Sequence, residues 1–141
     1  MKYLVFTISS FRLALDITKV IEIIIPGAGG STSPEKIITE KVMKYQDKMI
    51  PITNLAETIF NIPPAIPSSF RVVLSELDGK PVGLLVDNAD EIISLSDDQI
   101  KTTKKYASAL KTDFIESKFV EDEKDIYILA PNKILSAIKT V

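Results

Sequence analysis

Apolar and polar positions along the chain fall into short strand-like stretches, and the pattern recurs. Residues 3–24 laid over 72–93, at an offset of 69 without a gap, put apolar on apolar at Tyr3/Val72, Leu4/Val73, Val5/Leu74, Ile8/Leu77, Leu13/Val82, Leu15/Leu84, Ile17/Val86, Val20/Ala89, Ile23/Ile92 and Ile24/Ile93. Glu22 falls on Glu91, and Ser9-Ser10 on Asp78-Gly79. An Asp-Gly pair between apolar runs is a strong hairpin signal, so both regions are predicted to be hairpins followed by a bent third strand.

A second block repeats less closely. Asp47-Lys48 leads to Ile50 and Ile52, as Glu123-Lys124 leads to Ile126 and Ile128. A charged turn opens an alternating strand in each, and a short helix follows. Asn54 with Glu57 three residues on forms a capping box for the first helix. The second helix has Pro131 in its first turn and Ile134, Leu135 and Ile138 at helical spacing. The chain therefore reads as two related halves, about 1–69 and 70–141, with the join at Ser68-Ser69 after Pro63, Pro64 and Pro67. A half of this size with five strands is expected to curl into a small barrel, because an open sheet leaves its edges exposed. The remaining apolar residues of both halves would meet in a shared core. Residues 26–34 and the basic run 101–105 are expected to be loops.

Composition narrows the function. At 141 residues and 15.6 kDa the chain has the size of one domain. Basic and acidic side chains number 17 and 19, and Arg12 and Arg71 are the only arginines. A nucleic-acid binder usually shows a basic excess, which is missing here. Cysteine and histidine are both absent, which excludes a disulfide framework, a thiol nucleophile, a Ser-His-Asp triad and imidazole- or thiolate-ligated zinc. The opening apolar run is broken by Thr7, Ser9, Ser10 and Arg12, so it makes no signal-peptide core. No stretch approaches the roughly 20 apolar residues of a membrane span. A cytoplasmic setting is expected.

The polar clusters point away from catalysis. Gly27-Ala28-Gly29-Gly30 lacks the third glycine of a dinucleotide fingerprint, Thr32 standing there, and Ser33-Pro34 is expected to interrupt the helix that should follow. Asp87, Asp90, Glu91, Asp97 and Asp98, like Glu121-Asp122-Glu123, lack the ligand spacing of a calcium loop. Glu22 and Glu91 belong to separate halves, with nothing to pair them as acid and base. The lysines of 101–105 lack the interleaved aromatics of a nucleic-acid surface. No catalytic residue, metal or cofactor is expected. Two apolar runs stand out instead: Val20, Ile21, Ile23, Ile24 and Ile25, then Leu84, Leu85, Val86, Ala89, Ile92 and Ile93. Runs this dense are expected to be covered on both faces, by the other half or by a partner. A core between the lobes accounts for most of them, and a remainder exposed in a groove between lobes would be a protein-docking site.

These residues resemble the CheW-like family of chemotaxis adaptors. The resemblance lies in Tyr3-Leu4-Val5-Phe6-Thr7, Leu15-Asp16-Ile17, Val20-Ile21-Glu22-Ile23, Ile50-Pro51-Ile52 with Leu55, 81–87, 91–95, Gln99-Ile100, 126–129 and Lys133-Ile134-Leu135. It implies two SH3-like five-stranded β-barrel lobes packed together with short helices. It further implies a non-enzymatic scaffold that couples methyl-accepting chemoreceptors, through their cytoplasmic tip, to the regulatory domain of a CheA-type histidine kinase. The positions matching the family's partner contacts are Val20, Glu22, Gly83, Ala89 and Ile92. Gln46-Asp47 stands where the family usually has Arg-Gly, which makes Gln46 a further contact candidate. Two other readings stay open. One is a divergent interaction module of the same fold that serves another signalling system, or a self-associating module. The other, more distant, is a carboxylate- or lysine-dependent enzyme.

Overall fold

A computed structural model of the chain describes residues 1–28, 32–60, 70–96, 98, 114–121 and 123–137. The expected join at Ser68-Ser69 and the lysine run 101–105 lie outside the described residues. Among the described residues these elements follow in order: β1 (Lys2–Ile8), β2 (Phe11–Asp16), the 3-10 turn Ile17–Lys19, β3 (Val20–Ile24), α1 (Pro34–Glu40), β4 (Val42–Tyr45), β5 (Lys48–Asn54), α2 (Leu55–Phe60), β6 (Arg71–Leu77), β7 (Lys80–Val86), β8 (Asn88–Ser94), β9 (Ile115–Glu121), β10 (Lys124–Leu129) and α3 (Pro131–Ala137).

The repeat is structural. β6 begins and ends 69 residues after β1, and the hairpin turns expected at Ser9-Ser10 and Asp78-Gly79 are formed. Ser9 has φ 56°, Asp78 52° and Gly79 76°, the left-handed values that a two-residue hairpin turn demands. The third strands repeat down to a bulge. In β3 the ladder to β6 slips between Val20 and Glu22, around Ile21. In β8 the ladder to β1 slips between Ala89 and Glu91, 69 residues later.

The strands sort differently from the halves. One five-stranded sheet has the order β8-β1-β2-β10-β9, the other β3-β6-β7-β5-β4. Each hairpin has crossed into the sheet built by the other half. The contiguous lobes expected at 1–69 and 70–141 are therefore corrected. One lobe is continuous, from β3 to β7, and the other is assembled from β1 and β2 together with β8 to β10. In each, the innermost join is parallel: β2 to β10, and β7 to β5.

Period-two alternation explains why the two sheets pack together. In the first hairpin Leu4, Phe6, Ile8, Leu13 and Leu15 face a shared core, where they meet Val73, Leu77, Val82, Leu84 and Val86 of the second hairpin. Leu55 and Ile59 of α2 and Ile134 of α3 seal that core. The opposite faces line two smaller lobe interiors. Tyr3, Val5 and Ala14 pack with Leu95, Phe119, Ile126 and Ile128. Val72, Leu74 and Leu85 pack with Ile24, Met43, Ile50, Ile52 and Ile37 of α1. Both hairpins are thus buried on both faces, and each lobe wraps its edge strands around its own small interior, as SH3-like lobes do. The expected shared core is present.

Helix signals were local and mostly readable. The Asn54 side chain accepts from the N–H groups of Ala56 (3.0 Å) and Glu57 (3.4 Å), capping α2. Pro131 opens α3 as expected. Ser33-Pro34 does the opposite of what was expected. It starts α1 instead of interrupting a helix, with the Ser33 hydroxyl accepting from the Lys36 N–H at 3.4 Å and Pro34 in the first turn.

Candidate protein-docking edges

The two apolar runs have different fates. Leu84, Leu85 and Val86 lie on β7, a central strand covered on both faces, and are buried. Among the described residues Val20–Ile24 is an edge strand, with β6 as its ladder neighbour. Ile24 turns inward and Val20 is half-buried against the shared core, but Ile21 and Ile23 are 46% and 39% exposed, and Ile25 beyond them 52%. These three are an exposed remainder of the first run, and they lie along an edge strand or, for Ile25, just past its end. The β8 edge has the same placement in the other lobe. There Ala89 is half-buried against the shared core, Ile93 packs into the lobe interior, and Ile92 is 60% exposed.

The equivalent glutamates sit in different electrostatic settings. Glu91 on β8 pairs with Arg12 of β2 at 2.6 Å, both groups being partly shielded from water. Asp87 accepts from the Ser9 N–H at 2.7 Å while its own N–H donates to the Thr7 carbonyl at 3.0 Å. The acidic stretch after β7 thus fastens the first hairpin. Glu22 on β3 is exposed and receives a long contact, 3.5 Å, from the Tyr45 hydroxyl. That contact brings β3 and β4, the two edges of one sheet, towards each other.

Tyr45 precedes Gln46, so Glu22 and Gln46 share one corner of the continuous lobe. Gln46 and Asp47 form the β4–β5 turn with φ 48° and 63°. Two successive left-handed residues without a glycine make a costly turn. Beside it lies an open polar depression of about 550 Å³ lined by Thr32, Ser33, Lys36, Lys44, Gln46 and Asp47. Lys44 and Asp47 approach only to 4.0 Å and are largely solvated, so their attraction adds little.

Gly83 is not on any surface. It is buried in β7, and a Cβ there would stand 2.3 Å from Ile52 Cδ1 and 2.9 Å from Val72 Cγ1. It presents no side chain to a partner, and its part in the molecule is to let β5 and β6 close over β7. Of the six candidates, Glu22, Gln46 and Ile92 are exposed, and Val20 and Ala89 are half-buried. Ile21 and Ile23, which the family match did not single out, are the strongest apolar features of the same edge. Their signal was the density of the run itself.

Burial, with Asp16 nearby, holds the Glu116 carboxyl above its ordinary value of 4.5. Glu116 lies on β9. Among the described residues no cluster of three acidic side chains could hold a metal ion. No helix among them is long and apolar enough to cross a membrane.

The fold is thus two five-stranded lobes packed through buried hairpins, each with a partly exposed apolar edge strand. Residues 2–139 match the CheW-like domain, and the chain belongs to that family. Fifteen chains of solved structures match it. Among them is the crystal structure of the scaffolding protein TtCheW from Thermoanaerobacter tengcongensis, 26% identical, with a TM-score of 0.73 over 92% of this chain and 88% of that one. No curated protein matches.

Proposed function

We propose that the protein is a non-enzymatic cytoplasmic adaptor of a chemosensory system, holding a CheA-type histidine kinase regulatory domain and the cytoplasmic tip of a methyl-accepting chemoreceptor in fixed geometry. The observation that carries this reading is the exposure of Ile21, Ile23 and Ile92 on the third strands of both halves. Large apolar side chains on sheet edges are an aggregation hazard unless a partner covers them. Two such edges on two lobes suit a scaffold that holds two partners. Glu22 and Gln46 supply a polar rim on one lobe, Val20 and Ala89 the half-buried feet of the two edges, and Gly83 the packing that keeps β5, β6 and β7 together.

The test is titration of the folded protein with the kinase regulatory domain and with a receptor tip from the same organism. Binding of both is expected. Glu22→Lys should slow association with the partner on the β3 edge while leaving the melting temperature unchanged, because a rim charge acts on encounter more than on folding. Binding of neither partner would overturn the proposal. A favourable titration with Gln46→Arg plus Asp47→Gly, tighter than the parent protein, would show that this turn weakens coupling.

A further inference from the structure

The two lobes are related by exchange. Substituting β6 to β10 for β1 to β5, and the reverse, turns one sheet order into the other. Each half has sent its hairpin into the sheet of the other half, which is the arrangement of a swapped dimer written into one chain. The first hairpin is held in its acceptor sheet along six register pairs with β8 and three with β10. Both of its faces are buried, in the shared core and in one lobe interior. Its link to the strands that follow is the 3-10 turn Ile17–Lys19, none of whose residues is buried. The turn is held by the Asp16 carboxylate, which accepts from the Thr18 N–H (3.0 Å) and hydroxyl (2.9 Å). Extended, three residues span roughly 10 Å.

We propose that a second copy of this chain can take up this hairpin: two copies trade residues 1–16 through the turn 17–19, and each completes the other's discontinuous sheet. Every ladder pair of the hairpin is kept in such a dimer, and so are its core contacts other than those made with Ile17 of the turn, which packs against the shared core. What changes is the backbone of 17–19 and the replacement of an intramolecular partner by an intermolecular one. A short tether gives an effective concentration on the order of millimolar, so the closed single chain prevails when dilute. Exchange requires the hairpin to leave a core covered on both sides, so it occurs when copies fold together. This inference is independent of the receptor and kinase reading, because it concerns only how the chain completes its own sheet.

Cysteine is absent from the sequence, which makes introduced pairs clean reporters. Lys2 and Ser94 are exposed ladder partners on β1 and β8. Copies carrying Lys2→Cys are mixed with copies carrying Ser94→Cys, unfolded in denaturant, refolded from micromolar to millimolar concentration, and joined with a short bis-maleimide. The expected product is a cross-linked dimer containing one copy of each kind, rising roughly tenfold or more across that range by mass action. The double variant Lys2→Cys/Ser94→Cys, refolded dilute, should close within one chain and so report an intact ladder. Thr7→Cys with Asn88→Cys repeats the measurement at the other end of the same ladder. Monomer at every concentration, or dimer without the mixed cross-link, while either double variant closes within one chain, would overturn the proposal.

Discussion

β3 and β8 occupy equivalent edges of the two sheets, carry a bulge at the same point of the repeat, and place half-buried Val20 and Ala89 just before it. Solvent meets them differently. β3 shows it Ile21, Ile23 and Glu22, whereas β8 shows it Ile92 and commits Glu91 to Arg12. The same duplication has therefore produced one apolar edge with an exposed rim charge, in long contact with the Tyr45 hydroxyl at 3.5 Å, and one edge whose charge is used to fasten the first hairpin. Apolar density reads as a buried strand only when the strand is central, as β7 is. On an edge strand the same density leaves large apolar side chains at the surface, which is what the proposed docking uses.

The largest test of the duplication lies in the shared core. Leu15 and Leu84 are equivalent, and both are buried there. Leu15→Ala and Leu84→Ala should each cost about 2–5 kcal/mol in urea unfolding. Each should shift one cooperative transition, since both lobes depend on that core. Two separate transitions would show lobes that fold alone.

A smaller effect separates the hairpins themselves. Ala14 in β2 is the counterpart of Gly83 in β7, and the first lobe interior accommodates its methyl group in a fully buried site. Gly83→Ala should cost about 1–3 kcal/mol by overpacking against Ile52 and the stiff Val72. Chemical denaturation of the single variant measures it, and addition of Ile52→Val should recover part of the loss.

The smallest effect is pH-linked and belongs to the discontinuous lobe. The Glu116 carboxyl is raised in the folded state by burial and by Asp16. An acid raised on folding contributes stability below its unfolded value, near 4.5, and loses that contribution as pH rises through the folded value. Glu116→Gln should therefore raise the melting temperature at neutral pH and leave it unchanged well below pH 4.5. Melting curves over that range check the sign.

The features legible in the sequence were those written in neighbouring residues. The offset of 69, the turns at Ser9-Ser10 and Asp78-Gly79, the Asn54 cap and Pro131 are all local patterns, and each predicted element formed. The sorting of strands was not legible. A repeat says that β1 resembles β6, but both copies of a third strand fit either hairpin, and only long-range packing decides that β3 pairs with β6 and β8 with β1. α1 was hidden because Ser33-Pro34 reads equally as a breaker or as a cap with proline at the first helical position. The docking edge was half legible. Glu22 and Ile92 came from the family pattern and lie on the surface, whereas Gly83 came from the same pattern and lies inside, because a pattern does not separate a contact from the packing behind it.

The central claim is that the apolar third-strand edges are docking surfaces. The most direct measurement is calorimetric titration of the kinase regulatory domain and of the receptor tip into three proteins: the parent chain, Ile21→Lys with Ile23→Lys, and Ile92→Lys. All these positions are exposed, so each variant should melt at the parent temperature. The account predicts that each variant weakens at least one partner by about tenfold or more, the loss expected of an interface anchor. Full affinity for both partners in both variants, with the fold intact, would contradict it.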